Sequence, residues 1–253
     1  MKLTIIETGR PPDPIAADFP TYPAMMDALL RPYVPQLTPR VVSLVSGEAL
    51  PDLREVDAVL ITGSPVGVYD DVAWIAPLKA WVVEAGQRRI PQVGICFGHQ
   101  ILAEAFGGHA HKAPQGWGLG CHSYQVTAKE PWMTQIVPDT IENIRLAVSH
   151  QDQVLRPPAG SRTIARSEFT PHAALIYDNA PILSFQGHPE FCNRFADALI
   201  RSRRGTRFAE DLADRALKSL DQPLDGHVVA AWIAGFYTSH KAGAPKIPHA
   251  VAA

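Results

Sequence analysis

The stretch GICFG, residues 94–98, places a cysteine between two glycines at the end of an apolar run. A helical pattern follows directly, which predicts Cys96 at a sharp strand-to-helix turn, a nucleophile elbow with sulfur in place of oxygen. Gly94 and Gly98 let such a turn close because they lack side chains. At a helix N-terminus, unpaired N–H groups and the helix dipole favour the thiolate, which is the attacking form. The pattern therefore predicts a nucleophilic Cys96 rather than a small core residue.

A cysteine nucleophile needs a base, and one of the ten histidines stands in a suitable context. Pro189 restrains His188 to an extended backbone, and side chains two positions apart on an extended segment point to the same side. Glu190 is therefore expected beside His188, where a carboxylate fixes the tautomer of the imidazole and stabilises its charged form. We predict that Cys96, His188 and Glu190 form a catalytic triad, in which the third member orients the base.

The composition favours an enzyme that acts on a small molecule. The chain has 253 residues and a formal net charge of −2, so no strong field attracts nucleic acid or an anionic membrane surface. No apolar run reaches the roughly 20 residues of a membrane span. The opening MKLTIIETGR meets an acid and a glycine too early for a secretory signal. Three irregularly spaced cysteines suit a reducing compartment, so we expect a cytoplasmic protein.

The elements that must position these residues alternate along the chain. Strands are predicted at LTIIE, RVVSLV, DAVLITG and PQVGIC, and helices near Ala24, over DDVAWIAPLKAWVVEAG and over HQILAEAFGG. From about His109, strand-like segments follow at CHSYQVT, IRLAVSH, RTIARS, HAALIYD and ILSFQGH, and PWMTQIV between them has a helical pattern. The predicted fold class is α/β, with a mostly parallel central sheet flanked by helices and an additional antiparallel portion.

The chain contains no linker that would divide it into independent units. Residues 1–195 are predicted to form the catalytic domain. Residues 196–240 are predicted to form a C-terminal helical extension packed on the same domain, interrupted at Gly205 and at DQPLDG. Residues 241–253 are expected to form a loose tail because little in them can pack.

Two groups of residues are set aside as functional candidates. His109, His111, Cys121 and His122 match no spacing typical of metal ligands, so no metal is predicted, and no cofactor is predicted either. The segment RSRRGTR, residues 201–207, concentrates positive charge. An anion-binding patch is one interpretation, but because acids follow at once in AEDLADR, we prefer a solvated helix end.

The stretch VGICFGHQILAEAFGG together with QGHPEF resembles the class I glutamine amidotransferases, the triad type found in GMP synthetase and related synthases. The resemblance covers most of residues 3–195. It implies a flavodoxin-like fold in which Cys96 attacks the side-chain carbonyl of glutamine, forms a γ-glutamyl thioester and releases ammonia. Water then frees glutamate.

The tetrahedral intermediate of such a reaction carries an oxyanion, which needs preorganised N–H donors. The backbone N–H of Phe97, directly after the nucleophile, is one predicted donor. ITGSPVGVYDD resembles the oxyanion-loop segment of the family, which assigns the second donor to Gly63 or Ser64. The family more often has a second glycine where Ser64 stands, but a backbone donor survives that change.

The resemblance also assigns substrate-binding residues. Gln100, in the helix turn after the elbow, matches a family position that contacts glutamine. SHQDQV resembles the S-H-x-D segment of the GMP synthetase-like branch and places Ser149, His150 and Asp152 near the substrate or near an acceptor-domain interface. His99 is interpreted as a structural histidine rather than the base.

Three functions stay open. Only about sixty residues follow the triad, and they contain no phosphate-binding motif, so a synthase domain on this chain is not expected. The protein is then an amidotransferase that hydrolyses glutamine and passes ammonia to a separate acceptor subunit, or a hydrolase of another γ-glutamyl compound. The second interpretation arises because ITGSPVGVYDD and GICFGHQ also resemble standalone γ-glutamyl peptidases. The third is a catalytically silent binding or regulatory module, which the intact triad argues against. A homodimer is left open.

Overall fold

A computed structural model describes residues 1–240, so the predicted tail at 241–253 lies outside the described residues. The strands are β1 (Lys2–Glu7), β2 (Thr38–Ser43), β3 (Ala58–Ile61), β4 (Gln92–Ile95), β5 (His109–Lys112), β6 (Gly118–Val126), β7 (Asn143–His150), β8 (Asp152–Arg156), β9 (Ser161–Arg166), β10 (Ala174–Tyr177) and β11 (Ile182–Phe185). The helices are α1 (Asp13–Ala16), α2 (Tyr22–Leu30), α3 (Ile75–Gln87), α4 (Phe97–Ala105), α5 (Asn193–Arg203), α6 (Glu210–Ser219) and α7 (Gly226–Ser239).

Nine strands form one sheet in the order β2-β1-β3-β4-β11-β10-β9-β6-β7. From β2 to β11 neighbouring strands run parallel, and from β11 to β7 they run antiparallel. This arrangement confirms the predicted α/β class with a parallel part and an antiparallel portion. The carboxyl ends of the parallel strands meet at one edge, which is where such sheets place their functional residues.

The parallel strands β1, β3, β4 and β11 are buried on both faces, so their side chains divide between two hydrophobic clusters. In β1, Leu3 and Ile5 pack on the side of α2 and α7, whereas Ile6 packs on the side of α3 and α4. This division follows from the alternation of side chains along a strand. Helices α5 and α6 pack over β6 and β7 and enclose a third cluster that includes Phe191 and Phe195.

Helix α7 contributes to the same core as the parallel strands. Its residues from Val228 to Tyr237 are buried, and the Tyr237 hydroxyl donates to the carbonyl oxygen of Val59 in β3 at 2.7 Å. The segment after the predicted catalytic region therefore packs directly on the central sheet. No helix within residues 1–240 has both the length and the apolar character needed to cross a bilayer.

Two local predictions differ from the structure. PWMTQIV forms successive turns rather than a helix, because Trp132 and Met133 pack into the core beside α7. The ring of Trp132 meets that of Phe236 at a centroid distance of 5.6 Å. Strands β5 and β8 were not predicted, and they pair with each other in a separate two-stranded sheet. The sequence of β5, HAHK, buries only Ala110, so it carries almost no apolar signal.

Candidate active site

Cys96 occupies a strained backbone position at the start of α4. Its φ and ψ are +53° and −101°, in a region that non-glycine residues rarely adopt. Its backbone N–H donates to the carbonyl oxygen of Phe185 at 2.8 Å, which holds the turn against the end of β11. Cys96 is 6% exposed as a residue, and it lines a cavity. The strand-to-helix turn predicted for Cys96 is therefore present.

Residues 94 and 98 must be glycines because other backbone atoms approach them too closely to leave room for a Cβ atom. A Cβ atom on Gly98 would overlap the carbonyl oxygen of Ile61 in β3, and one on Gly94 would overlap the carbonyl group of Gly98. The first turn of α4 thus lies directly on the ends of β3 and β4, with no room for a side chain between them. This packing aims the helix N-terminus at the edge of the sheet.

His188 and Glu190 lie side by side, as the i, i+2 spacing predicts. His188 Nδ1 is 2.8 Å from Glu190 Oε1, and their side chains are 5% and 1% exposed. The backbone N–H of His188 donates to the carbonyl oxygen of Ala147 at 2.9 Å, which ties the segment to β7. The ring of Phe191 stacks on the imidazole, with centroids 3.9 Å apart and planes 5° from parallel. These contacts fix both the position and the plane of the imidazole.

The other edge of the imidazole faces the cysteine. A methyl group on Gly63 would lie 3.7 Å from His188 Nε2 and 3.7 Å from Cys96 Cβ, so both side chains border the same small space. Burial disfavours the imidazolium, but Glu190 and Cys96 outweigh burial and raise the pKa of His188 above its ordinary value. The structure thus brings the three predicted triad residues together at one point.

The predicted oxyanion donors surround that point. Phe97 is the first residue of α4, where a backbone N–H has no partner within the helix. Gly63 and Ser64 follow β3, and within residues 1–240 neither backbone N–H donates to a protein acceptor. Ser64 also lines a cavity together with Cys96. All three groups therefore lie at the same edge of the sheet with their N–H groups available.

The predicted substrate-binding residues line one cavity of about 370 Å³ that opens from Cys96. Gln100 Nε2 donates to the carbonyl oxygen of Asp152 at 2.9 Å, and His150 Nδ1 lies 3.1 Å from the same oxygen. The hydroxyl of Ser149 is buried and has no hydrogen-bond partner within residues 1–240. The structure thus gathers Gln100, Ser149, His150 and Asp152 around the cysteine.

Burial shifts the pKa values of two of these groups. Desolvation, together with other histidines nearby, lowers the pKa of His150 to about 3, so its ring is neutral at pH 7. Desolvation raises the pKa of the Asp152 carboxyl, although the Tyr69 hydroxyl, 3.2 Å from Asp152 Oδ1, opposes this shift. The cavity wall therefore contains the half-buried carboxylate of Asp152, with the hydroxyl of Tyr69 beside it.

Several residues around Cys96 and its cavity were not predicted from the sequence. Gln186 Nε2 lies 3.7 Å from Cys96 Sγ, and Gln186 Oε1 accepts from Gln100 at 3.1 Å. Gln186 is the first residue of the QGHPEF motif, and this position is the signal that could have found it. Arg203 is partly buried and lines the cavity, so the interpretation of residues 201–207 as a solvated helix end is wrong for this arginine. Arg207 also lines the cavity but is exposed, in agreement with that interpretation.

His99 and Cys121, which the sequence did not place in the catalytic machinery, take other positions. His99 is fully buried in α4, with Nδ1 2.8 Å from Ser184 Oγ. Cys121 is half-buried on β6, and the third cysteine, Cys192, is exposed. Within residues 1–240 no three side chains of histidine, cysteine, aspartate or glutamate are grouped to hold a metal ion.

A cysteine at a strained strand-to-helix turn, on a sheet covered on both faces, defines an α/β protein with a nucleophile elbow. The family model for glutamine amidotransferase class-I matches residues 38–203, and the chain belongs to this family.

The relatives include both a GMP synthase subunit and a γ-glutamyl peptidase, the two branches of the family that the motifs resemble. The chain is 33% identical over 164 residues to a subunit of the glutamine-hydrolyzing GMP synthase of Ignicoccus hospitalis, covering 65% of this chain and 76% of that protein. It is 30% identical over 176 residues to gamma-glutamyl peptidase 4 of Arabidopsis thaliana, covering 68% of each. A solved glutamine amidotransferase of Methylobacillus flagellatus has the same fold, with a TM-score of 0.71 at 21% identity, covering 100% of this chain and 98% of that one.

Proposed function

We propose that this chain hydrolyses the γ-amide bond of glutamine or of another γ-glutamyl compound through a covalent intermediate on Cys96. The observation that carries the proposal is the convergence of the strained Cys96 with the buried pair of His188 and Glu190 at one small space beside Gly63. A purely structural role does not explain why these three residues lie together. Cys96 carries backbone strain, and His188 and Glu190 form a buried ion pair, and both states cost free energy.

The proposed reaction has two halves. The thiol proton of Cys96 passes to His188, and the thiolate Sγ attacks the amide carbon, so that the new C–S bond forms while the carbonyl electrons move to oxygen. His188 gives its proton to the departing amine, the C–N bond breaks and a γ-glutamyl thioester remains. In the second half His188 accepts a proton from water, whose oxygen attacks the thioester, and glutamate leaves as the thiol is restored. Glu190 orients the imidazole and balances its charge throughout.

The oxyanion of both tetrahedral intermediates is assigned to the backbone N–H of Phe97 and to that of Gly63 or Ser64. A single preorganised donor of this kind contributes roughly 3 to 4 kcal/mol to transition-state stabilisation. The γ-glutamyl group is assigned to the cavity wall formed by Gln100, Ser149, His150 and Asp152. The Asp152 carboxylate suits the α-ammonium group of that substrate, and the unpartnered Ser149 hydroxyl can take part in a hydrogen bond with it.

The decisive experiment combines labelling and substitution. A diazoketone analogue of glutamine should alkylate Cys96 alone among the three cysteines, as mapped by peptide mass spectrometry. Cys96→Ala should abolish glutamine and γ-glutamyl hydrolysis, whereas Cys192→Ala, at an exposed cysteine outside the cavity, should keep the wild-type rate. An unlabelled Cys96, or a Cys96→Ala enzyme with unchanged turnover, would instead support a silent binding or regulatory module.

Two substrates fit this chemistry, and each has its own support. Similarity to the GMP synthase subunit supports glutamine as substrate and a separate acceptor subunit that receives ammonia. Similarity to gamma-glutamyl peptidases and the arginines at the cavity support a γ-glutamyl peptide. Turnover of both substrates by the purified full chain, by itself and with a candidate acceptor subunit, compares the two directly.

A further inference from the structure

The cavity that opens from Cys96 is lined by charged side chains, and not all of them have a partner within the protein. Lys112 and Asp152 are register partners in the small sheet of β5 and β8, so the lysine partly balances the carboxylate. Asp70 Oδ2 accepts from the backbone N–H of Gly67 at 2.8 Å. Arg203 and Arg207 line the same cavity. The charges other than these two arginines thus have a protein partner of opposite charge or a hydrogen bond.

A tight, non-helical turn connects the two arginines. Arg203 is the last residue of α5, Arg204 is extended, and the backbone N–H of Arg207 donates to the carbonyl oxygen of Arg203 at 2.9 Å. Gly205, with φ +73°, donates to the carbonyl oxygen of Phe208 at 2.8 Å and closes the turn. Both arginines line the cavity. The backbone of this turn therefore holds the two residues close to each other.

Neither guanidinium forms an ion pair or a hydrogen bond with another residue in the range 1–240. Their neighbours in sequence behave differently, since Arg201 pairs with Asp197 and Arg204 pairs with Asp214. Arg207 stacks over the ring of Trp117 at 4.8 Å, which orients the guanidinium and leaves its N–H groups free. Two adjacent cations without a counter-ion repel each other, and an anion bound between them would remove that repulsion.

The position of Arg203 indicates which end of a substrate it meets. A second, smaller cavity of about 30 Å³ is lined by Cys96, His188 and Arg203, but not by Gln100 or Asp152. In the proposed reaction His188 protonates the departing amine, so the amine part of the substrate must lie on the His188 side of the sulfur. Arg203 borders both cavities and therefore lies on that same side.

We propose that Arg203 and Arg207 bind a carboxylate carried by the amine part of a γ-glutamyl substrate, so that the preferred substrate class is a γ-glutamyl amino acid or short γ-glutamyl peptide. This inference rests on the proposed function and narrows its substrate. A planar guanidinium matches a carboxylate with two parallel hydrogen bonds. Glutamine has no charged group in its amine part, so it leaves both arginines unpaired.

The test compares two substrates that differ only in that charge, γ-glutamylglycine and γ-glutamylglycinamide. The wild-type chain should cleave γ-glutamylglycine with a kcat/KM at least about tenfold higher, the ratio expected for one charge-assisted contact. Arg203→Gln and Arg207→Gln should each remove most of this preference by raising KM for γ-glutamylglycine, while turnover of the glycinamide stays within about twofold of wild type. Arg201→Gln, on the same helix but outside the cavity, should keep the wild-type ratio.

Two outcomes would overturn the inference. A wild-type ratio near one would mean that the amine-side carboxylate is not recognised. An equal loss on γ-glutamylglycine, γ-glutamylglycinamide and glutamine in the arginine variants would assign the arginines to the α-carboxylate that all three share. Circular dichroism melting of each variant separates these outcomes from misfolding.

A binding experiment separates this inference from the proposed reaction. Titration calorimetry with Cys96→Ala measures affinity without turnover. If the wild-type chain cleaves neither compound, yet Cys96→Ala binds γ-glutamylglycine more tightly than the glycinamide and loses that difference with Arg207→Gln added, the reaction is wrong and the carboxylate site stands. Cleavage without any difference in affinity or rate between the two compounds would support the reaction and overturn the carboxylate site.

Discussion

The backbone N–H of Cys96 donates to the carbonyl oxygen of Phe185 at 2.8 Å, so the nucleophile elbow is bonded to the strand that leads to His188. Strands β4 and β11 run parallel, with Ile95 opposite Phe185, and both end at the same edge of the sheet. A residue three positions beyond Phe185 therefore arrives beside Cys96, although 92 positions separate them in sequence. The pairing register of two strands thus brings the sulfur and the imidazole together.

The carboxylate beside the imidazole can be tested by a near-isosteric change. Glu190→Gln should lower kcat by about 10² to 10⁴ with little change in KM, because the amide no longer stabilises the charged imidazole or fixes its tautomer. Without that carboxylate the pKa of His188, followed by NMR titration, should fall. Glu142→Gln, at an exposed position, is the matched control. A wild-type kcat in Glu190→Gln would remove Glu190 from the reaction.

The half-buried carboxylate on the cavity wall gives a different kinetic signature. Asp152→Asn should raise KM by about tenfold or more and change kcat less, because a charge-assisted contact to the substrate α-ammonium is lost in both the ground state and the transition state. Asp13→Asn, on the exposed surface of α1, should leave both constants unchanged. Steady-state kinetics on glutamine and γ-glutamylglycine measure this. A fall in kcat alone would place Asp152 in the chemical step instead.

The turn at the nucleophile should be intolerant of any side chain. In Gly98→Ala the new methyl group overlaps the carbonyl oxygen of Ile61, so the start of α4 must shift. We expect a loss of about 1 to 3 kcal/mol in the free energy of unfolding. Displacing Cys96 should also lower kcat by about a hundredfold.

The contrast is Gly47→Ala, at φ +82° with open space around it. There the left-handed backbone alone costs roughly 1 to 2 kcal/mol, and kcat should not change. Urea denaturation and steady-state kinetics on both variants separate strain in the fold from displacement of the nucleophile. Equal kcat values for the two variants would contradict a role for close packing at Gly98.

The parts of the site that could be predicted from the sequence are the local ones. The elbow around Cys96 and the i, i+2 pair of His188 and Glu190 follow from backbone rules that act within a few residues. Gln186 and Arg203 were not assigned a role because their placement depends on how β11 and α5 pack against the rest of the chain. The acidic residues that follow Arg203 in the sequence predicted a solvent-exposed position for it, but the packing of α5 places it at the cavity. The polar strand β5 was missed for a related reason, since pairing with β8 rather than apolar patterning defines it.

Buried neutral histidines make the fold sensitive to acid. Burial lowers the pKa of His99 to about 3, below its value of about 6.5 in the unfolded chain. Between these values the unfolded chain binds a proton that the folded chain does not, so stability is present above pH 6.5 and is lost as the pH falls. From pH 6.5 to pH 5 this group alone should cost about 2 kcal/mol.

The measurement is the free energy of unfolding by urea at both pH values. In His99→Gln, whose side chain can still bond Ser184, the loss between pH 6.5 and pH 5 should be smaller than in wild type by that amount. His227→Gln, at an exposed histidine, should match the wild-type pH dependence. Identical pH profiles for His99→Gln and wild type would mean that His99 is not held neutral.

Helix α7 should unfold together with the catalytic part of the chain. Phe236 is buried against Trp132 on the face of the sheet that also holds α2, so Phe236→Ala should lower the free energy of unfolding by about 3 to 5 kcal/mol. Leu155→Ala, at an exposed position on β8, should change it by no more than about 0.5 kcal/mol. Tryptophan fluorescence and residual hydrolase activity should report one coincident transition in urea, since α7 and β3 share the core through the bond from Tyr237 to Val59. A fluorescence transition at lower urea than the loss of activity would show instead that residues 196–240 fold as a separate unit, on which the cavity around Cys96 does not depend.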